Sequence, residues 1–403
     1  MPSIVAGRAG GPLAGLTVLD LTRVLSGPYC TMQLADMGAR VIKIEHPDGG
    51  DDTRHWGPPF LNGESTYFLS INRNKESVTL DFKTARGRVI LERLLARADV
   101  VVENFRPGTL ERLGLDYGSL SSMYPRLIYA SLSGYGHTGP RAAEPGYDAV
   151  LQGEGGLMSL TGAADGPPFR LGVAVADIVT GLFAVQGILL AVVARQHSGR
   201  GQHVDVAMLD SVAALLTYQA GIVFATGHSP GRLGNRHPSI APYDTFDAAD
   251  GPIVLAVGND DQWRRFCSVA GLDAAATDPR FVTNAGRVQH GAALRAVVAP
   301  AMKTRTRAEW TARLVSEGVP AGPVRPVNEV LADPQLAARE MLVPLAHAAA
   351  GEITVLGVPV KLSETPGGVG SAPPILGEHT ERVLAELGYA PADIAALRHE
   401  RVV

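Results

Sequence analysis

Asp177 is preceded by residues 171–176 and followed by residues 178–185, both almost wholly apolar. A carboxylate in such surroundings must be satisfied by hydrogen bonds or held for chemistry, because an unpaired buried charge is costly. An N-cap role for the helix that follows, worth about 1 kcal/mol, would satisfy it; a reactive acid is the other reading. Asp148, in the small-residue stretch Pro145-Gly146-Tyr147-Asp148, is a second acid, equally consistent with an ordinary turn. Asn104, Arg106 and Arg112 follow the apolar run 100–103. An amide there can hydrogen-bond a ligand and guanidinium groups can neutralise phosphate, although a turn with solvated arginines has the same spacing. The glycine-rich loop 133–140 is just as ambiguous alone.

Other chemistries are not expected. The stretch Arg23-Val24-Leu25-Ser26-Gly27-Pro28 has one glycine where a dinucleotide fingerprint needs three. Glu45 stands where a ribose-binding acid would, but without the glycines NAD or FAD binding is not expected, and a different nucleotide ligand stays open. The eleven histidines are scattered without a His-x-x-x-His pair, and Cys30 and Cys267 lie far apart, so no metal is expected. No serine-centred nucleophile elbow is present.

The elements that would position these residues alternate. Residues 16–20 read as a strand, 29–37 as a helix stopped by Gly38, and 41–45 as a second strand. Strands at 77–81, 100–103 and 127–133 and a helix at 84–98 continue the pattern. Such alternation implies a mainly parallel sheet covered by helices on both faces, with ligands bound beyond the carboxyl ends of the strands. Residues 178–195 read as a long buried helix with Asp177 as its N-cap, stopped by Ser198-Gly199-Arg200-Gly201. A strand at 204–208 and a helix at 211–224 follow. The tract 227–242, rich in Gly, Pro, His and Arg, reads as a linker. Beyond it, a strand at 253–257 and helices at 262–270 and 307–317 suggest a smaller α/β domain, closed by the Pro-rich passage 319–326. The tail alternates like a strand over 353–360 and ends in a helix at 380–387.

A chain of 403 residues is long enough for two or three domains. With 46% hydrophobic and 19% charged residues it is too apolar for disorder. Lys+Arg number 36 against 40 Asp+Glu, and no dense basic run appears, so nucleic acid is not an expected partner. Two distant cysteines point to a reducing compartment. Residues 1–11 lack the apolar core of a signal peptide and the Arg/Ser richness of a transit peptide, which makes the cytoplasm the expected location. The apolar stretch 172–194 is interrupted by Asp177, Thr180 and Gln186. An Asp at bilayer depth costs about 2.5–3.5 kcal/mol, so a buried helix is expected there and no membrane partner.

Several ordered blocks carry a resemblance. Leu19-Asp20-Leu21-Thr22, Gly27-Pro28, Gly38-Ala39-Arg40-Val41-Ile42-Lys43-Ile44-Glu45, Asn72-Arg73-Asn74-Lys75, Glu103-Asn104-Phe105, Gly146-Tyr147-Asp148 and Ser198-Gly199-Arg200-Gly201-Gln202 together resemble the family III CoA-transferases. That group includes formyl-CoA transferase, carnitine CoA-transferase and α-methylacyl-CoA racemase. The resemblance covers nearly the whole chain in the family's order. Within the family, Gly50-Asp51-Asp52-Thr53-Arg54, Trp56-Gly57-Pro58-Pro59, Glu64-Ser65-Thr66-Tyr67 and Ser239-Ile240-Ala241-Pro242-Tyr243 are similar to the succinate–hydroxymethylglutarate (glutarate) CoA-transferases.

The resemblance implies an α/β fold: a Rossmann-like large domain with a mainly parallel sheet, a smaller α/β domain, and an interlocked homodimer. Its implied bounds are 12–226 and 341–403 for the large domain, 243–318 for the small one, and linkers at 227–242 and 319–340. It implies that Asp177 is the nucleophile, forming an aspartyl anhydride and then an aspartyl-CoA thioester, with acyl-CoA and a carboxylic acid as substrates and no metal. Val24, Ser26, Lys83, Asn104, Phe105, Arg112 and Tyr147 match positions that contact CoA in the formyl-CoA enzyme. His46 stands where that enzyme has an arginine, and Leu25 where it has a glutamine, which argues against formyl or oxalyl specificity. The tetraglycine lid of that enzyme is unmatched at 258–262. A dicarboxylate acceptor would need a cation, for which Arg54, Arg73 and His237 are candidates, with Asp148 a further substrate-site residue. The racemase branch is the alternative, but its histidine position is Tyr147 here, and a phenol with a reference pKa of about 10 is a poor proton shuttle at neutral pH. A non-catalytic CoA- or nucleotide-binding protein is the alternative of another class.

Overall fold

The structure is a computed structural model and describes residues 10–403. The leader reading made on residues 1–11 therefore falls mostly outside the described residues. The chain divides into two compact units. One runs to Gly156 and adds Gly172–Thr217 and Pro334–Val403; the other joins Leu157–Leu171 to Tyr218–Asp333.

The first unit is built on a six-stranded, all-parallel sheet. Its strands are β1 (Thr17–Asp20), β2 (Arg40–Glu45), β3 (Lys75–Thr79), β4 (Val100–Glu103), β5 (Ile128–Ser133) and β6 (His203–Ala207), in the order β3-β2-β1-β4-β5-β6. Its main helices are α1 (Ser26–Asp36), α2 (Ala85–Leu95), α3 (Asp148–Glu154) and α4 (Val175–Ser198). Successive strand residues point to opposite faces. Leu19, Ile42 and Val101 accordingly face a core completed by Ile90 and Leu94 of α2 and by Leu384 and Leu397 of two C-terminal helices, Thr380–Glu386 and Pro391–His399. Val18, Val41 and Val100 face the other core, with Cys30 and Leu34 of α1 and Ala184 and Ile188 of α4. Where both faces of the sheet are buried, consecutive residues are apolar, as in Val100, Val101 and Val102 of β4. Gly38 ends α1 at φ +98°, a conformation that favours glycine.

Several sequence expectations are corrected. The strand expected at 77–81 lies at Lys75–Thr79, and the C-terminal strand ends at Leu356, paired in a hairpin with Leu342–His347. Helix α4 begins at Val175, so Asp177 lies inside its first turn and Ala174 occupies the N-cap position. Nor is α4 wholly buried. It has the length and hydropathy of a membrane-crossing helix; one side packs on α1 and the sheet, while Leu182, Leu189, Leu190 and Val193 are exposed. The single helix expected at 211–224 is two, Met208–Ala214 and Thr217–Thr226, broken at Thr217, whose φ of +37° lies outside the right-handed helical region.

The second unit holds an antiparallel three-stranded sheet, Tyr243–Ala248, Gly251–Ala256 and Ala321–Pro323, with Gly251–Ala256 in the centre. Helices Asp260–Ala270, Gly291–Met302 and Arg307–Ser316 cover it, closing a core around Trp263, Phe266, Trp310 and Leu314. The stretch 258–262 forms a helix start: Asn259 caps Gln262, whose side chain accepts the Gly258 N–H. The tract 227–242 contains no helix or strand and lies within this unit.

Candidate active site

The turns that leave β1, β4 and β5 at their carboxyl ends border one cleft, with a volume of about 330 Å³. Its walls are the 23–26 loop, the 104–109 loop, Leu132–Ser133–Gly134, the 144–147 stretch and Asp177. Two polar staples hold the first of these loops. Asn104 closes a reciprocal pair with Arg23, its Oδ1 accepting the Arg23 N–H at 2.9 Å and its Nδ2 donating to the Arg23 carbonyl at 2.7 Å. The buried Asp51 accepts the N–H of Val24 at 3.2 Å. The neighbouring 104–109 loop is fixed at its base, where Glu103 Oε2 accepts the Phe105 N–H at 2.9 Å.

Asp177, in the first turn of α4, lines the cleft beside Ser26 in the first turn of α1. The close approach depends on Gly181: a Cβ there would meet the Ser26 carbonyl oxygen at 2.7 Å. An anion at a helix N-terminus is favoured by the free N–H groups and the helix dipole. Burial nevertheless dominates, and with the charge of Asp148 it pushes the Asp177 carboxyl up to about 7, against the lowering influence of the nearby Ser26 hydroxyl and N–H. Near neutral pH both the acid and its conjugate base are populated, as is common for a carboxyl at a reactive site.

Asp148 opens α3 and works at a distance in sequence. Its Oδ1 accepts the N–H of Ala176 at 2.9 Å, satisfying a free donor in the first turn of α4, and its Oδ2 accepts from the buried Gln152 at 2.8 Å. Tyr67 lies near the same two acids: burial and then the charges of Asp177 and Asp148 push its phenol up to about 12. Beneath the loops lies a buried charge cluster. Lys75 bonds Asp20, and Lys43 bonds Asp51 at 2.8 Å and the Thr22 carbonyl at 2.8 Å.

Of the residues singled out from sequence, Val24, Ser26, Asn104, Phe105, Tyr147 and Asp177 line this cleft, and Asp148 stands behind Asp177. His46, Lys83 and Arg112 are exposed and do not line it. Arg54 and Arg73 are not free to meet a substrate carboxylate: Arg54 makes two 2.7 Å bonds to Glu45 and lies over the Phe68 ring, and Arg73 bonds both oxygens of Asp36. Glu45, sited like a ribose-binding acid, is spent on Arg54, Ser77 and the Asp51 N–H. His237 belongs to the second unit, its ring beside those of Tyr218 and Tyr243. Sequence reasoning missed Arg23, Asp51, Tyr67 and Gln152. Among the described residues no group of three His, Cys, Asp or Glu side chains could hold a metal ion.

Residues 13–380 match the profile of CoA-transferase family III. The chain is 44% identical to a succinate–glutarate CoA-transferase of Agrobacterium fabrum, over 93% of this chain and 96% of that protein. It is also 44% identical to an acetyl-CoA:oxalate CoA-transferase of Acetobacter aceti, over 90% of this chain and 92% of that one. A crystal structure of a CAIB/BAIF family protein from Brucella suis superposes with a TM-score of 0.84 at 45% identity, covering 94% of this chain and all of that one. The chain therefore belongs to CoA-transferase family III and is a CoA-transferase.

Proposed function

We propose that this enzyme moves CoA from an acyl-CoA, with succinyl-CoA as the donor, to a dicarboxylic acid, through acyl intermediates on Asp177. The observation that carries this reading is the half-buried Asp177 carboxylate, open to the cleft beside Ser26 at the start of α1. The ionised carboxylate attacks the thioester carbonyl; the C–S bond breaks, giving an aspartyl acyl anhydride and CoA thiolate. The thiolate then attacks the aspartyl carbonyl, releasing the donor acid and leaving an aspartyl-CoA thioester. The acceptor carboxylate attacks that thioester to give a second anhydride, and the returning thiolate takes its acyl group, restoring Asp177. Each exchange keeps the energy of the thioester, so no other energy source is needed.

CoA lies along Val24, Ser26, Asn104, Phe105 and Tyr147 in this reading, with His46, Lys83 and Arg112 outside the cleft as candidates for its phosphates. With Arg54 and Arg73 engaged elsewhere, Arg23 and Arg106 are the guanidinium groups in the cleft wall that can meet an acid's second carboxylate. Succinyl-CoA and glutarate come from the Agrobacterium, mouse and human relatives, whose names join the two acids. The Acetobacter relative is as similar and is named for oxalate, against which Leu25 argues, so acceptor length is the point to measure. The exposed apolar side chains of α4 support the homodimer that the family resemblance implies.

A panel of acyl-CoA donors against mono- and dicarboxylic acids, read by mass spectrometry, tests the whole reading. Transfer from succinyl-CoA to a dicarboxylate without ATP is expected, and Asp177→Ala should abolish it. Retained turnover in that variant, or exchange of an α-hydrogen of a 2-methylacyl-CoA without transfer, would reject it.

A further inference from the structure

We propose that Asp51 is a positioning residue for the transfer reaction: anchored on the buried Lys43, it holds Val24 in a left-handed conformation and so sets Ser26 against the Asp177 carboxylate. The inference rests on the reading of Asp177 as the nucleophile. Val24 has φ +71°, a conformation that a β-branched residue adopts only when its surroundings impose it. What imposes it is visible. Asp51 is 1% exposed, and its Oδ1 accepts the Val24 N–H at 3.2 Å together with the N–H of Thr53 at 3.0 Å and its hydroxyl at 2.8 Å. The other oxygen, Oδ2, is 2.8 Å from Lys43 Nζ, which is fully buried and also donates to the Thr22 carbonyl. The clamp therefore grips the strained loop at Thr22 and Val24, and Asn104 grips it at Arg23 between them.

Geometry fixes the direction of the effect. Ser26 lies two residues after the strained position and one turn before the helix interior, so a shift at Val24 moves both Ser26 donors. Those donors are what favour the ionised form of Asp177 against burial and Asp148. Loosening the clamp removes them, with Tyr67 and Asp148 left facing the carboxylate. Asp51 itself does not line the cleft, so its influence on turnover runs through the loop.

The test uses the full-length protein carrying Asp51→Asn, Asp51→Asn with Val24→Gly, and Asp177→Asn. A neutral amide loses the pull on Lys43 and weakens the grip on Val24; a glycine adopts positive φ without a clamp. For Asp51→Asn, kcat should fall about tenfold or more, and the acid limb of its pH profile should move upward by roughly half a unit to one unit. Adding Val24→Gly should return part of both. If Asp51→Asn does not fold, Asp51→Glu keeps the charge beside Lys43 while displacing the acceptor oxygen, and is read in the same way. A folded Asp51 variant with an unmoved acid limb, or a double variant with no recovery, overturns the inference. Turnover by Asp177→Asn would instead overturn the nucleophile reading itself.

Discussion

Asp148 caps the helix that carries Asp177: its Oδ1 receives the N–H of Ala176 at 2.9 Å, one residue before Asp177. One carboxylate thus orients the helix and, by its charge, raises the proton affinity of the other. These two effects separate in mutants. Asp148→Asn keeps an acceptor for Ala176 and removes the charge, so the acid limb of kcat/KM, expected near the Asp177 value of about 7, should move down by roughly half a unit to one unit. Asp148→Ala also loses the cap, costing about 1 kcal/mol. A pH–rate profile of both variants, with a thermal melt of each, checks the pair.

The raised carboxyl has a stability consequence of its own. A carboxyl with a folded-state pKa of about 7, above its usual 3.8, prefers to be protonated in the fold. Its ionisation therefore costs stability progressively as pH climbs from about 4 to 7, and the cost is complete above that range. Asp177→Asn should be more stable than the parent at pH 8, by on the order of 1–3 kcal/mol after allowing for partial solvent access, and about equal to it at pH 4. Melting temperatures at the two pH values decide the matter; equal shifts at both would contradict it.

Gly181 sits one helical turn after Asp177, where α4 crosses the start of α1. Alanine in an open helix interior is favoured over glycine by about 1 kcal/mol. Here the added methyl would lie 2.7 Å from the Ser26 carbonyl oxygen and 3.4 Å from the Cys30 nitrogen, and main chain cannot swing aside as a flexible side chain can. Overpacking of this kind costs about 1–3 kcal/mol and should outweigh the propensity gain. Gly181→Ala is expected to lower the melting temperature and to reduce kcat by about tenfold, since the helices must part where Ser26 meets Asp177. Steady-state kinetics on the folded variant measures this.

Much of the frame was legible because a sheet buried on both faces writes itself as apolar runs, as in Val100–Glu103 and Ile128–Ser133. Asp177 stood out for the same reason, an acid between two apolar stretches. Its first-turn position was not legible, because the group that caps the helix comes from Asp148, 28 positions away from Ala176. The engagement of Arg73 with Asp36, 37 positions away, and the staple between Asn104 and Arg23, 81 positions apart, have no local signature either. In each case the tertiary fold supplies a partner that no spacing rule anticipates. The strain at Val24 is hidden too, since a valine in sequence favours extended backbone.

Arg54 and Arg106 allow the two roles of a guanidinium to be told apart. Arg54 is buried in a two-bond pair with Glu45, donates to the Pro374 carbonyl, and stacks 3.7 Å from the Phe68 ring centre. Removing it would strand a buried carboxylate, which costs about 3–5 kcal/mol. Arg54→Ala should therefore melt far below the parent, and whatever folds should keep its KM for the acid. Arg106 lines the cleft. Arg106→Ala should leave the melting temperature within about a degree or two, as surface changes do, while raising KM for acyl-CoA or for the acceptor acid severalfold. An unchanged KM in Arg106→Ala would place the substrate's charged groups on another wall of the cleft, and a near-normal melting temperature for Arg54→Ala would show that Glu45 finds a second partner.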